Sequence, residues 1–358
     1  MSRILNTPTV QAAPGAKRAA AYLFALIVLL AALFLAFPAF AQETTAEPER
    51  EGFPDQFYAP YVYPGAFPLG YLKELTGVPY FTLAFVLSGS DPCTPIWTNG
   101  LQVLRESQVT TYIEALREAG GDVIPSFGGA GGTELARSCE DLDTLIAQYQ
   151  AVVEHLDARW LDFDVEGVSL RETESVDRRN QALAALQDWA EAEGRTLEIA
   201  YTLPVAPFGL TEDGLNLLRS ALEHGLDVSL VNVMTMNYGE SDPPDQMGPL
   251  TIQAAESLHA QLSELYPDLS SEEVWARIGL TPMIGLNDVQ PQVFTLEDAA
   301  LITDFVIENG IRLTAMWSIG RDKTCSANMA LVSDTCSGVI QEDFAFSTIF
   351  NRINAAEA

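Results

Sequence analysis

Three acidic residues at alternate positions make Trp160-Leu161-Asp162-Phe163-Asp164-Val165-Glu166-Gly167 the most chemically loaded stretch of the chain. Successive side chains of a β-strand point to opposite faces, so Asp162, Asp164 and Glu166 share one face. Leu161, Phe163 and Val165 share the other, which suits an apolar layer. Neighbouring carboxylates raise one another's pKa. A glutamate lifted from its usual value near ~4.3 stays protonated and can serve as a general acid. Taken alone, the pattern leaves three uses open. One is glycoside hydrolysis with Glu166 as the proton donor. Another is an all-oxygen site for magnesium or calcium. The last is a solvated rim with no chemistry.

The elements around this stretch decide where it sits. Apolar runs of strand length fall at Gln56–Val62, Tyr80–Leu87, Asp122–Phe127, Trp160–Val165, Leu197–Thr202, Val228–Met236, Arg277–Met283 and Leu313–Ser318. Helical spacing occupies Cys139–Leu156, Val176–Ala192, Glu212–Glu223, Ile252–Leu265 and Leu296–Glu308 between them. This alternation predicts an α/β fold, a (β/α)8 TIM barrel, in preference to a doubly wound sheet. Helices cover the outside of such a barrel, so the carboxylate face is interior. Glu166 then lies at the C-terminal end of its strand, where barrel enzymes place their chemistry. No G-x-G-x-x-G follows the first strand. Gly128-Gly129-Ala130-Gly131-Gly132 lacks phosphate-loop spacing and reads as a tight turn at the barrel rim.

Composition narrows the function classes. The 358 residues are 48% apolar and 19% charged, enough to bury a large core. The formal net charge is -30, with lysine only at 17, 73 and 323. Such a surface repels phosphate backbones, so no nucleic-acid partner is expected, and it repels its own copies, so a monomer is. Lys17 and Arg18 precede an apolar run from Ala19 to Phe37, and Ala39-Phe40-Ala41 resembles a cleavage site. Residues 1–41 therefore read as a signal peptide of a secreted protein, with a membrane anchor at residues 19–37 as the alternative. An acidic tether at 42–53 and one catalytic domain at 54–358 follow. Cys93, Cys139, Cys325 and Cys336 fit an exported protein. Cys325 and Cys336 enclose a short loop and can close it, which leaves Cys93 with Cys139; free buried thiols are the alternative. His155, His224 and His259 sit in helical patterns, and no C-x-x-C is present, so neither a histidine triad nor a zinc site is expected.

The carboxylate strand resembles the D-x-D-x-E core of the family-18 glycoside hydrolase signature. Ser126-Phe127-Gly128-Gly129 resembles the family's S-x-G-G element at the end of the third strand. Met234-Thr235-Met236-Asn237-Tyr238-Gly239 resembles its sixth-strand region, and Trp317 its eighth-strand tryptophan. Thr202-Leu203-Pro204-Val205 and Thr281-Pro282-Met283-Ile284-Gly285 are similar to segments of bacterial and archaeal chitinases. The resemblance covers roughly residues 54–350. Three positions depart from it. Arg159 stands where the longer signature has its first aspartate, Met236 where a tyrosine is usual, and Asn237 where an aspartate is usual.

The resemblance implies substrate-assisted, retaining hydrolysis of β-1,4-linked N-acetylglucosamine chains, with no cofactor and no metal. Glu166 would protonate the glycosidic oxygen, Asp164 would accept the acetamido N–H, and Asp162 would share a proton with Asp164. Trp317 would floor the sugar site. Met236 and Met283 would contact substrate, and Tyr58, Tyr201, Trp97 and Asn287 are further candidates for lining the cleft. With Met236 in the tyrosine slot, strand parity offers Tyr238 as the hydroxyl that holds the acetamido oxygen. Two other functions remain on this reading. One is an endo-β-N-acetylglucosaminidase acting on N-glycans or cell-wall fragments. The other is a chitin-binding lectin, which the presence of Glu166 disfavours.

Overall fold

The structure is a computed structural model that describes residues 52–326 and 331–356. Residues 1–41 and most of the segment assigned as a tether lie outside the described residues. Eight parallel strands form the central sheet. β1 comprises Phe57–Tyr58 and Tyr61–Val62; β2 is Tyr80–Ser88, β3 Asp122–Gly128 and β4 Trp160–Asp164. β5 is Glu198–Ala206, β6 Leu230–Met234, β7 Ile278–Thr281 and β8 Leu313–Thr314. Each strand pairs with its successor, and β1 closes the ring. Phe57 and Tyr58 pair with Leu313 and Thr314 of β8, whereas Tyr61 and Val62 pair with Thr82 and Leu83 of β2. The fold is a TIM barrel.

Several strands end earlier than their apolar runs. The first run is broken at Ala59-Pro60, because Pro60 has no N–H to give; its carbonyl still accepts from Thr82 N at 3.0 Å. β6 stops at Met234, where Met236 N turns back to Met234 O and Asn237 takes a left-handed φ of 53°. β5 instead runs four residues past its predicted end and folds back as a hairpin with Gly209–Leu210. Helix starts follow their caps. Leu142–Leu156 begins at the Asp141 cap rather than at Cys139, and Leu296–Asn309 opens on a Thr295–Asp298 capping box.

The barrel interior is built in layers. At the N-terminal end Phe57, Ile124, Trp160, Leu230 and Leu313 form an apolar plug. Phe53 sits against it, 5.1 Å from the Phe57 ring and 5.5 Å from Trp160, so the last residue of the expected tether is docked. Above the plug lies a polar layer. Outside the strands Leu161, Phe163, Val231, Leu280 and their neighbours pack under the helices in the main core. Both disulfides expected from the sequence form, with Cα–Cα separations of 4.7 Å for Cys93–Cys139 and 5.1 Å for Cys325–Cys336. Among the described residues no helix is long and apolar enough to cross a membrane.

Candidate active site

The polar layer is a ring of side chains contributed by five neighbouring strands and β1. Asp162 accepts from Ser126 Oγ at 2.5 Å, from Thr202 Oγ1 at 2.7 Å and from Tyr61 Oη at 3.0 Å. Asn232 continues the ring, donating to Thr202 Oγ1 at 2.9 Å and to Thr281 Oγ1 at 2.7 Å. Strand register explains the meeting: Asp162 lies opposite Ser126 on β3 and Ala200 on β5, and Asp164 lies opposite Thr202. The interior face of β4 is therefore the carboxylate face, as its alternation predicts.

Immediately above this ring a cleft of about 680 Å³ opens at the C-terminal ends of the strands. Asp164, Glu166, Trp317, Met236 and Met283 line it. Asp162 lies beneath, held by its three hydroxyl donors. Asp164 is buried, yet its Oδ1 has no hydrogen-bond partner among the described residues. Glu166 lies just beyond β4 in extended backbone, ahead of the short helix Gly167–Arg171. Trp317 stacks on Phe85, with centroids 5.6 Å apart and planes 14° apart, and meets Tyr63 edge-on at 5.6 Å.

Two glycines let these groups approach. A Cβ on Gly128 would stand 2.1 Å from the carbonyl oxygen of Asp164, and one on Gly129 would stand 2.7 Å from the Phe85 ring. Their φ angles of 99° and 87° add a second reason for glycine. The Gly-Gly pair expected to permit a turn thus permits close contact on both sides of the cleft.

Burial sets the protonation pattern. It raises the Asp164 pKa well above the ordinary carboxylate range, and the charges of Glu166 and Asp162 push it further. Burial also raises Glu166. Asp162 is lifted to about 6 by burial, against the pull of its bonds from Ser126, Thr202, Tyr61 and the Phe163 N–H. Glu166 is thus fit to give a proton at the cleft wall, and Asp164 offers a buried oxygen to a ligand donor. Among the described residues no group of His, Cys, Asp or Glu is arranged to hold a metal ion.

Other candidate residues lie away from the cleft. Tyr201 is opposite Phe163, on the outer face of β5, and its hydroxyl bonds to Asn180 beneath the helix Thr173–Ala192. The interior residue there is its neighbour Thr202. Tyr58 and Trp97 are buried in the outer core, Tyr58 reaching Ser347 at 3.4 Å. Tyr238 is also buried in that core, because the left-handed turn at Asn237 ends the alternation that would have aimed it at the mouth. Asn287 braces the cleft rather than lining it: its amide donates to Met283 O at 2.9 Å and Gly285 O at 3.1 Å, and its Oδ1 accepts from Asn237 N at 3.0 Å. Sequence reasoning missed Tyr61, Tyr63, Phe85, Thr202 and Asp288, all of which line the cleft together with Asn237, singled out at the usual aspartate position. For Tyr61 and Thr202, interior parity carried through β1 and β5 was the available signal.

No family model matches the chain. Over 318 residues, 84% of its length, it is 38% identical to a probable bifunctional chitinase/lysozyme of Escherichia coli strain K12, of which it covers 35%. Over 286 residues, 76% of its length, it is 39% identical to endochitinase 11 of Metarhizium anisopliae, of which it covers 54%. The chain thus spans between a third and about half of the length of these curated relatives. Among solved structures, the catalytic domain of the hyperthermophilic chitinase from Pyrococcus furiosus superposes with a TM-score of 0.78 at 34% identity, covering 87% of this chain and 99% of that one.

Proposed function

The chain belongs to the family-18 glycoside hydrolases, and we propose that it is a chitinase that cuts β-1,4-linked N-acetylglucosamine chains internally, with Glu166 as general acid. One pairing carries this reading: Glu166, its pKa raised, shares a cleft with the unpartnered Oδ1 of buried Asp164. A retaining two-carboxylate hydrolase would have its second acid attack the sugar. A substrate bearing a 2-acetamido group brings its own nucleophile, and the second acid then has only to accept the N–H.

The proposed steps follow from these placements. Glu166 gives its proton to the glycosidic oxygen as the C1–O bond breaks. The acetamido carbonyl oxygen bonds to C1 and forms an oxazolinium ion, whose N–H is held by Asp164 Oδ1. Asp162 acts on Asp164 through charge. Water then attacks C1, gives its proton to Glu166 and restores the acetamide, so configuration is retained. Trp317, backed by Phe85, supplies an apolar face against which the sugar stacks. Met236 and Met283 fill the wall beside it.

Product analysis by mass spectrometry tests the assignment on chitin oligomers, N-glycans and muropeptides. Internal cleavage of chitin oligomers is expected, with chitosan and cellulose oligomers inert because they lack the acetamide. Release of N-glycans instead would establish the endo-β-N-acetylglucosaminidase reading. Binding without turnover would establish the lectin. Export is part of the proposal, supported by the two disulfides. N-terminal sequencing of secreted protein should begin at Gln42; a chain retained in membranes with residues 19–37 intact would show an anchor.

A further inference from the structure

Behind the catalytic strand, on the side away from the cleft, lies a second buried polar cluster that the proposed chemistry does not use. Arg179, on the helix Thr173–Ala192, is 0% exposed, and Glu134, at the start of the short helix Leu135–Ser138, is 2% exposed. Arg179 Nη2 donates to Glu134 Oε2 at 2.8 Å. Glu134 Oε1 accepts from Ala136 N at 3.0 Å and from Tyr149 Oη at 3.2 Å. Tyr149 meets the stacked rings of Phe127 and Phe163 edge-on, at 5.2 and 5.4 Å.

The stem of Glu134 abuts a specific point in the site. A Cβ on Gly128 would stand 3.5 Å from Glu134 Cγ and 2.1 Å from the Asp164 carbonyl oxygen. That carbonyl accepts from Gly129 N at 2.9 Å. Two more links join the same segments: Arg178 Nη1 to Ala136 O at 2.5 Å, and Arg137 Nε to Glu172 Oε2 at 3.3 Å. All of them tie the connection after β3, whose Ala130 to Gly132 line the cleft, to the connection after β4, which begins at Glu166.

A buried ion pair is a costly way to hold helices together. An apolar pair of similar volume often serves stability as well or better. What a hydrogen-bonded charge pair adds is direction, because its donors and acceptors meet in one arrangement. We propose that the Arg179–Glu134 pair is a positioning device that fixes the β3–β4 junction, and through it the placement of Asp164 relative to Glu166. The proposal rests on the reading of that site as a hydrolase.

The test is the double variant Arg179→Met, Glu134→Gln, which removes both charges at similar volume and keeps an acceptor for Tyr149 and Ala136 N. Melting temperature, kcat and KM on chitin oligomers, and amide hydrogen exchange at Gly129 and Val165 are compared with the parent. A folded variant with kcat lowered about tenfold or more, KM within about twofold, and faster exchange at those two amides is expected, since small misplacements near reacting atoms cost rate rather than binding. Unchanged kcat and unchanged exchange in a folded variant would overturn the proposal. If the double variant does not fold, Tyr149→Phe decides instead. It removes only the hydroxyl at Glu134, and faster exchange at Gly129 supports the proposal whereas parental exchange and kcat overturn it. A parent inert on chitin oligomers would count against the chitinase assignment alone, because exchange reads the junction without substrate.

Discussion

Two adjacent layers of the barrel interior are made by the same strands and have opposite physical character. On β4 they are two residues apart: Trp160 belongs to the lower layer and Asp162 to the upper. The lower layer buries Phe57, Ile124, Trp160, Leu230 and Leu313 against one another and against Phe53. Each large side chain there contributes roughly 1.5–3 kcal/mol by leaving water. The upper layer buries acids, hydroxyls and an amide, and every one of them must find a partner or cost stability. Asp162 finds three hydroxyl donors, whereas Asp164 keeps an oxygen without a partner among the described residues. The contrast assigns stability to the lower layer and chemistry to the upper, and each substitution below is chosen to break that division.

The largest effect is expected at the upper edge. Glu166→Gln keeps volume and removes the transferable proton, so kcat should fall by about 10²–10⁴-fold, the usual range for a general acid. Melting temperature and oligosaccharide affinity should stay near the parent's. Steady-state kinetics with a thermal melt checks both, and more than about a tenth of parental kcat, an effect of roughly 1.4 kcal/mol or less, would remove Glu166 from its role.

In the lower layer the expectation inverts. Trp160 is fully buried, ringed by Phe53 and Phe57, with Arg312 over its face at 4.6 Å. Trp160→Ala should cost about 3–5 kcal/mol of unfolding free energy through lost burial and a cavity. The fraction that remains folded at low temperature should turn over chitin oligomers within about twofold of the parent. Denaturant titration paired with kcat at low temperature measures both. A variant that is stable but inactive would show that the two layers are not separable.

Between these lies a substitution that should trade function for stability. Asp164 has its pKa raised by burial and by the charges of Glu166 and Asp162. A carboxyl whose folded pKa exceeds its unfolded value binds its proton more tightly when folded. Its contribution is fully present below the unfolded pKa and is lost as pH rises through the folded one. For Asp162 that window runs from 3.8 to about 6, and for Asp164 it likewise begins at the ordinary carboxylate value and runs upward. Asp164→Asn removes the ionisable group. The variant's stability advantage over the parent should therefore grow as pH rises above the ordinary carboxylate range, while chitin turnover collapses. Thermal melts of both proteins over that rise in pH decide it, and an advantage that is flat or shrinks with pH contradicts the assignment.

What was legible in the sequence follows the same division. The carboxylate face of β4 could be read because three acids cannot be explained by burial in an apolar layer. The barrel could be read because apolar strands are separated by helical periods. Tyr201 falls outside the cleft because parity with Asp164 puts its neighbour Thr202 inside. Phe85 was hidden because β2 is apolar on both faces from Leu83 to Leu87, so alternation carries no signal there. Asn287 and Asp288 come from a loop, where no period says which side chain turns inward. Their position is set by Asn237, whose Oδ1 accepts from Asp288 N at 2.7 Å and Val289 N at 3.2 Å.

The smallest effect is expected at Tyr238, and it is the sharpest test of where the cleft ends. By strand parity its hydroxyl would lie one layer above Met236 and would hold the acetamido oxygen. The structure instead buries it to 2% exposure in the outer core, where its hydroxyl faces Thr251 without a well-formed hydrogen bond among the described residues. A buried donor that is poorly satisfied costs roughly 1–3 kcal/mol, so removing it loses at most a weak contact with Thr251 and relieves part of that penalty. Tyr238→Phe should leave kcat and KM within about twofold of the parent's, since no transition-state contact is lost. Unfolding free energy should be unchanged or rise by up to ~1 kcal/mol. The backbone has its own anchor, because Gln292 Nε2 donates to Tyr238 O at 2.8 Å whatever the side chain. If instead kcat fell at least tenfold at constant KM, Tyr238 would have to swing into the cleft when substrate binds. The boundary drawn here between cleft and core at Asn237 would then be wrong.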